Sequence, residues 1–226
     1  MTKIICITGI DGAGKTTLAR KLVESLQENE LPGIYIYGRT YPILSRALMA
    51  LGRGILLRDH DMWNDYADYS WAKKNTMRNL LFKWVYTFAI IFDYFPQIWF
   101  KLLLHYPFQR IIVLDRYIYD TVICDLAIHL NYSISETLNA ITWGSHFLPK
   151  PSKTYLIDLP EELAFQRKDD VPHIDFLKEL RRYYKNLLSF PEVEIINGEA
   201  SIEDLVNIIL NTTISDNLKG YLWPGS

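Results

Sequence analysis

The sequence is poor in cysteine, with only Cys6 and Cys124 among 226 residues. Cys6 lies in a predicted apolar strand and Cys124 in a predicted helix, and cysteines in such surroundings behave as small hydrophobic residues. They therefore predict neither a disulfide nor a metal site. This composition suits a protein of the cytoplasm.

The sequence also lacks an excess of positive charge, since its formal net charge is −2 and its pI is about 6.2. Proteins that bind nucleic acid non-specifically gain most of their affinity from basic residues that neutralise phosphates. The composition argues against such a protein, and we expect no nucleic-acid partner.

No apolar run is long enough to cross a membrane without interruption. Residues 81–108 are strongly aromatic, but Lys83, Asp93, Pro96 and Lys101 interrupt them, and a spanning helix needs about 20 apolar residues. We expect a buried or dimer-forming helix here, with a peripheral membrane face as the alternative. No cleavable apolar segment opens the chain, so we expect no signal peptide.

The most informative stretch that is present is a glycine-rich loop between an apolar strand and a helix. Residues 9–16 read Gly-Ile-Asp-Gly-Ala-Gly-Lys-Thr, which is the G-x-x-x-x-G-K-[ST] phosphate loop. Glycines let successive backbone N–H groups turn towards phosphate oxygens, and the N-terminus of the following helix adds partial positive charge. The loop therefore predicts a nucleoside triphosphate site.

Two side chains of this loop have expected roles in binding ATP and Mg²⁺. Lys15 would reach the β- and γ-phosphates, and the Thr16 hydroxyl would bind the Mg²⁺ ion that bridges them. The predicted nucleotide-binding residues of the loop are Gly9, Asp11, Gly12, Ala13, Gly14, Lys15, Thr16 and Thr17.

Charged residues follow two of the later strands. In open α/β sheets, ligands bind beyond the carboxyl ends of the strands, so Arg39 after the second strand is a candidate anion receptor. After the third strand, Asp115 is the candidate Mg²⁺-associated carboxylate, and Arg116 is suited to hold the transferring phosphoryl group. The alternatives are a solvated loop arginine and an Asp–Arg pair that only ends a strand.

Apolar strands alternate with helical segments along the chain, and the predicted strands lie at 4–7, 34–37, 110–115, 154–159 and 193–196. This alternation predicts an α/β three-layer sandwich with a mostly parallel five-stranded sheet.

The longest stretch without a strand signal extends from Pro42 to about His105 and is predicted to be helical. The last helix is capped by Ser201 and is expected to end near Leu210. We expect one domain at residues 1–212, followed by a tail at residues 213–226.

These motifs together resemble the thymidylate kinase family of P-loop nucleoside monophosphate kinases, over nearly the full chain to about residue 210. The phosphate loop is similar to that of the family, and Asp115-Arg116-Tyr117 matches its D-R-[YH] motif. Residues 156–167 resemble the strand and helix that enter its lid. The resemblance implies a P-loop NTPase fold, ATP as the phosphoryl donor with Mg²⁺, and dTMP as the acceptor.

The resemblance also implies roles for individual residues. Asp11 would contact the acceptor sugar, and Arg39 falls where the family keeps an arginine on the acceptor phosphate. Arg167 stands at the position of a lid arginine, within a lid around residues 166–173. The predicted catalytic residues are Lys15, Arg116 and Arg167.

The sequence departs from the family pattern in two regions. In the family, a phenylalanine and, a few residues later, an arginine contact the thymine base. Here Phe82 supplies the aromatic ring, but residues 83–93 contain no arginine. The lid becomes acidic after Lys168, at residues 169–170, where bacterial relatives carry more arginines. Phe82 and Asn197 complete the predicted binding residues.

Three functions are compatible with these residues, and we prefer the first. It is an ATP:dTMP phosphotransferase that acts as a homodimer. The second is a kinase of the same fold that acts on another nucleotide, nucleoside or small acceptor. The third is a nucleotide-hydrolysing switch that binds a partner or a membrane through residues 81–108, although the N-K-x-D motif of a GTPase switch is absent from the sequence.

Overall fold

A five-stranded, all-parallel sheet lies at the centre of the protein. The computed structural model describes residues 2–41, 43, 45–47, 50, 80–105, 108, 110–168, 171 and 173–221. The strands are β1 (Lys3–Gly9), β2 (Gly33–Tyr37), β3 (Ile111–Asp115), β4 (Lys153–Asp158) and β5 (Val193–Asn197). Their order across the sheet is β2-β3-β1-β4-β5. The predicted five-stranded parallel sheet is confirmed.

Helices cover the sheet. They are α1 (Lys15–Glu28), α2 (Leu80–Leu103), α3 (Ile118–Asp120), a π-helix (Thr121–Ala127), α4 (Ile128–Leu130), α5 (Ile134–Ser145), α6 (Glu161–Gln166), α7 (Ile174–Lys185), a 3₁₀ turn (Asn186–Ser189) and α8 (Ile202–Tyr221). Helix α1 contacts β1, β2 and β3 and packs against α8, whereas α3 contacts β1 and α7 contacts β4. The predicted α/β class is confirmed.

The central strands are buried on both faces of the sheet. Residues Ile4 to Ile7 of β1 are at most 3% exposed, and Ile112 to Leu114 of β3 are fully buried. A parallel strand that is covered on both faces must be apolar on both faces, which is why these runs show no alternation with polar residues. Cys6 is one of these buried residues, as its apolar surroundings predict.

The register of the sheet brings the ends of its central strands together. Asp115 is level with Ile7 of β1 and with Tyr37 of β2, and Gly9 is level with Ile157 of β4. Because the strands are parallel, their carboxyl ends lie at one edge of the sheet, where α/β proteins bind ligands. The phosphate loop, Arg39 and Asp115-Arg116 therefore share this edge.

The last part of the predicted helical region is helix α2. This helix ends at Leu103, close to the expected end at His105. Much of that region, residues 51–79, lies outside the described residues. The buried Asp93 carboxylate accepts hydrogen bonds from the Ser45 N–H and hydroxyl groups, at 2.9 and 2.7 Å. Through these hydrogen bonds, helix α2 anchors the segment that follows β2 at Ser45.

The exposed side of α2 is as aromatic as its buried side. Tyr86 and Tyr94 are at most 2% exposed, whereas Trp84, Phe88 and Phe92 are each about two-thirds exposed. These three exposed residues recur every four positions and so lie along one side of the helix. Within the described ranges, no helix combines the length and apolarity needed to cross a membrane.

The last helix is longer than the sequence predicts, since α8 continues past Leu210 to Tyr221. The Thr213 hydroxyl donates to the Ile209 carbonyl at 2.7 Å, and the Thr213 side chain is buried. Threonine weakens the apolar pattern but bonds back to the preceding turn, so the helix is not interrupted. The predicted tail at residues 213–226 therefore begins inside α8, and residues 222–226 lie outside the described residues. The domain boundary at residue 212 stays a prediction.

Candidate active site

The phosphate loop connects β1 to α1 and packs tightly against α6. Gly12 and Gly14 have φ angles of 84° and 86°, in the left-handed region that favours glycine. A Cβ atom on Gly12 would lie 2.5 Å from the Ala164 carbonyl oxygen. Among the described residues, no side chain caps α1, so its first N–H groups can point towards phosphate oxygens.

Lys15 is folded back within this loop. Its Nζ donates to the carbonyl oxygens of Gly9 and Ile10, at 2.8 and 2.6 Å, and lies 3.8 Å from the Asp11 carboxylate. Burial lowers the pKa of Lys15 to about 8; Arg116 acts in the same direction and Asp11 opposes it. The ammonium group has to leave the two carbonyls in order to reach a β- or γ-phosphate.

Asp115 and Thr16 lie together at the end of β3, as their predicted shared role in binding Mg²⁺ requires. Asp115 is fully buried, and its Oδ2 accepts hydrogen bonds from the Thr16 hydroxyl at 2.6 Å and from the Tyr35 hydroxyl at 2.8 Å. Its Oδ1 is buried without a hydrogen-bond partner among the described residues. An unsatisfied buried carboxylate oxygen is costly, and Mg²⁺ prefers oxygen ligands. The two residues therefore fit a magnesium ion.

Arg116 lies between two carboxylates. Its Nη2 donates to Asp11 Oδ1 at 2.5 Å, and its Nη1 lies 3.5 Å from Asp120 Oδ1. Burial opposes the charge of Arg116, but Asp120 and Asp11 outweigh it and raise its pKa. Burial alone would raise the pKa of Asp11, whereas Lys15 and Arg116 hold it at about 2. Both partners of the Arg116–Asp11 pair therefore stay charged at neutral pH.

The backbone around Arg116 is tightly constrained. Arg116 has a φ of 72°, which is uncommon outside glycine, and its N–H donates to the Ile7 carbonyl at 2.9 Å. A Cβ atom on Gly38 would lie 1.9 Å from the Arg116 carbonyl oxygen, so only glycine fits there. The segments that follow β2 and β3 therefore approach each other closely, and this approach sets the position of Arg116.

Arg39 also lies at this edge, but its charge is already paired. Its Nη2 donates to Asp125 Oδ1 of the π-helix at 2.5 Å. Burial opposes the charge of Arg39, and Asp125 outweighs this and raises its pKa. Lys101 donates to the Tyr37 and Arg39 carbonyls, at 2.8 and 2.7 Å, and so anchors the chain at this point.

The remaining predicted residues are less closely grouped. Arg167 is exposed at the C-terminal end of α6, and the lid that it would belong to is described only in part. Asn197 is the last residue of β5, and its Oδ1 accepts from the Glu199 N–H at 3.0 Å. Phe82 lies on α2, with its side chain outside what is described. Residues 169–170, the acidic part of the lid, also lie outside the described residues.

The stretch of α2 that lacks an arginine contributes a buried aromatic ring instead. Tyr86, four residues after Phe82, is 2% exposed. Its ring stacks on that of His129, with centroids 6.0 Å apart and planes at 9°.

Sequence reasoning missed the residues that hold the predicted ones in place, namely Tyr35, Asp120 and Asp125. Tyr35 and Asp115 are 80 positions apart, so no local pattern could link them. Burial raises the pKa of Tyr35 to about 12, and its hydrogen bond to Asp115 adds to this. Asp120 had a weak local signal, since it lies three residues after Tyr117 and its Oδ2 accepts from the Tyr117 N–H at 3.1 Å, the contact that an acidic residue makes in a capping box.

No protein-family model matches the chain. A probable thymidylate kinase of Pyrococcus horikoshii is 26% identical over 209 residues, which cover 89% of this chain and 90% of the relative. Another from Sulfolobus acidocaldarius is 26% identical over 214 residues, which cover 90% of this chain and 92% of the relative. A third, from Pyrococcus abyssi, is 25% identical over 211 residues, with coverage of 89% and 90%.

These relatives match nearly the whole chain, well beyond the phosphate loop alone. The parallel sheet and the Asp115-Arg116-Tyr117 motif beside the loop agree with the same assignment. Over nearly its whole length the chain is similar to probable thymidylate kinases, and this similarity supports both its resemblance to the thymidylate kinase family of P-loop nucleoside monophosphate kinases and a phosphotransferase activity.

Proposed function

We propose that the protein transfers the γ-phosphoryl group of ATP to dTMP in the cytoplasm. The observation that carries this proposal is the convergence of the phosphate loop, Asp115, Arg116 and Arg39 at one edge of the sheet. A phosphate oxygen of dTMP attacks the γ-phosphorus, the bond to the bridging oxygen breaks, and ADP leaves. The names of the relatives support dTMP as the acceptor.

The chain's own groups would bind and orient the donor. The Lys15 ammonium would exchange its two loop carbonyls for β- and γ-phosphate oxygens. Thr16 and Asp115 would hold Mg²⁺, which when bound neutralises part of the charge on the donor phosphates. Arg116 Nη1, a buried donor without a hydrogen bond among the described residues, would stabilise charge on the transferring group.

The acceptor and the lid would complete the arrangement. Arg39 would hold the acceptor phosphate in line with the γ-phosphate, and Asp11 would contact the acceptor sugar. Arg167 is exposed, so it would reach the phosphates only when the lid closes and excludes water. Asn197 and Phe82 would bind nucleotide as predicted.

A second acceptor class, an uncharged nucleoside, is favoured by one observation. Asp125 already neutralises Arg39, so the cation proposed for an acceptor phosphate is not free in this structure. Tyr86 lies in the stretch of α2 where the family carries an arginine on the base, and its ring stacks on that of His129. A nucleoside hydroxyl group would then take the phosphoryl group in place of the dTMP phosphate.

Measuring ADP release from MgATP against a panel of acceptors tests both candidates. The panel contains dTMP, thymidine, the other nucleoside monophosphates and a blank without acceptor. We expect dTMP to give the highest kcat/KM. Faster turnover with thymidine would support the second candidate, and ADP release that no acceptor accelerates would contradict a kinase and support a hydrolysing switch.

Arg39→Ala is expected to raise the KM for dTMP about 100-fold while the KM for ATP changes little, because a charge-assisted contact to phosphate is lost only on the acceptor side. Steady-state kinetics with each substrate varied in turn measures the difference. Arg46→Ala, in the segment that follows, is a control that should change neither KM by more than about twofold. Equal weakening of both substrates would remove Arg39 from the acceptor site.

We also propose that the protein is a homodimer that pairs through α2. The helix exposes Trp84, Phe88 and Phe92 along one side. Beside its C-terminal half lies an apolar groove of about 910 Å³, whose lining includes Trp143 and Phe147 of the α5 region. A monomer rarely leaves so large an aromatic surface in water, and a two-fold partner would bury it.

Sedimentation equilibrium without detergent is expected to give twice the chain mass of 26.5 kDa at tens of micromolar. Phe88→Glu should shift the equilibrium towards monomer, because a carboxylate would be buried in the apolar interface. Glu24→Gln, at an exposed position of helix α1, is the control. A wild-type monomer at this concentration rules out the dimer, and its co-sedimentation with liposomes would favour the membrane-facing alternative.

A further inference from the structure

Asp120 is a fully buried carboxylate behind the Asp115-Arg116-Tyr117 motif. Its Oδ2 accepts hydrogen bonds from the Thr8 hydroxyl at 2.9 Å and from the Tyr117 N–H at 3.1 Å. Its Oδ1 accepts from the Tyr184 hydroxyl at 2.8 Å. Removing a carboxylate from water is costly unless it is paired and hydrogen-bonded, and these three donors supply its hydrogen bonds.

The positive partner of Asp120 is Arg116. The Nη1 atom of Arg116 lies 3.5 Å from Asp120 Oδ1, while Nη2 is held by Asp11 on the other side at 2.5 Å. Asp120 therefore attracts the guanidinium group without taking the hydrogen bond of Nη1, which is buried and has no hydrogen-bond partner among the described residues. This donor is therefore not committed to a hydrogen bond among the described residues.

The contacts of Asp120 also join three elements of the fold. Thr8 is the second-last residue of β1 and precedes Gly9 of the phosphate loop, Tyr117 follows the arginine, and Tyr184 lies on α7, the helix after the lid. A single carboxylate therefore fixes the arginine relative to the donor loop and to the helix that leads out of the lid.

We propose that Asp120 is a positioning residue for phosphoryl transfer: it is the buried counter-ion that holds the Arg116 guanidinium group ready for the transferring phosphoryl group. The inference rests on the proposed function, because it takes Arg116 as the group that stabilises the moving charge. A donor held in place before reaction needs no reorganisation when the charge develops, and this is the source of its effect.

A purely structural role would also account for the three donors that converge on Asp120. The test must therefore separate the structural role from the positioning role. Asp120→Asn keeps the shape and removes the charge. It is expected to lower kcat about tenfold at saturating substrates and to raise the KM for ATP about threefold, because the misplaced arginine contacts the γ-phosphoryl group before reaction and more strongly in the transition state. In an Arg116→Ala background the same change should lower kcat by less than about twofold, since the group that Asp120 positions is gone.

Binding measurements give a readout that does not depend on the acceptor. Calorimetry compares the Kd of MgADP with that of the magnesium complex of AMP-PNP, an ATP analogue that retains a γ-phosphoryl group. We expect Asp120→Asn to weaken AMP-PNP about threefold to tenfold and ADP hardly at all, and again only when Arg116 is present. If no acceptor supports turnover, the proposed function fails while this comparison still decides the role of Asp120.

Tyr184→Phe and Tyr183→Phe form a matched pair in case Asp120→Asn does not fold. Tyr184 donates to Asp120, whereas the neighbouring Tyr183 donates to the Tyr132 carbonyl. Tyr184→Phe should lower kcat about threefold and Tyr183→Phe should leave it unchanged. Equal losses of kcat from Asp120→Asn with and without Arg116, or equal effects of the two tyrosine variants, would overturn the positioning role.

Discussion

Lys15→Ala is expected to lower kcat for phosphoryl transfer about 1,000-fold, because removing a preorganised cation leaves developing phosphate charge uncompensated. The fold should survive the change. Burial lowers the pKa of Lys15 to about 8, so the folded protein holds this proton more weakly than the unfolded chain does. Burying the ammonium group therefore costs stability at neutral pH, and an apolar replacement removes that cost.

Initial-rate measurements with the best acceptor of the panel, together with thermal melting, check this expectation. Lys21→Ala is the matched control, because Lys21 is on the same helix but is exposed and pairs only with Glu24 at 2.8 Å. It should retain activity within about twofold. Activity of Lys15→Ala within about tenfold of wild type, with unchanged melting, would show that the proposed donor site is wrong.

Arg116→Ala is also expected to lower kcat about 1,000-fold, in line with other arginines that stabilise a transferring phosphoryl group. The KM for ATP should change much less, since the contact strengthens in the transition state. Arg116→Lys should recover only part of the loss, because an ammonium group cannot contact Asp11, Asp120 and a phosphoryl oxygen with one planar fork.

Single-turnover kinetics measures the chemical step directly in these variants. Arg110→Ala is the control, since Arg110 precedes β3 and so lies at the opposite end of the strand that leads to Arg116. Its kcat should stay within about twofold of wild type. A loss that appears in KM and leaves kcat unchanged would instead make Arg116 a group for ground-state binding.

Much of the proposed donor site could be located from the sequence because its signals are local. The phosphate loop, the apolar strand before it and the helix after it occupy consecutive residues, and their conformations depend on glycines within the loop. Asp115 and Arg116 could be placed for a similar reason. Parallel strands end at one edge of the sheet, so a charged residue at a strand end has a predictable location.

The end of a helix is less predictable where the apolar pattern weakens but no helix-breaking residue, such as proline or glycine, follows. The sequence predicts an end near Leu210, whereas α8 continues because Thr213 bonds back to the preceding turn and is buried. Tertiary packing outweighs a weak local preference at such positions.

The sequence by itself determined the fold class, the phosphate-loop motif and the charged residues at the strand ends. Only the tertiary structure decided how those charges are paired: Arg39 with Asp125, Thr16 and Tyr35 with Asp115, and Asp120 behind Arg116. The pairing follows from burial. A charge at this edge must find a partner through space, and the partners come from elements that are distant along the chain and adjacent only after the sheet has formed.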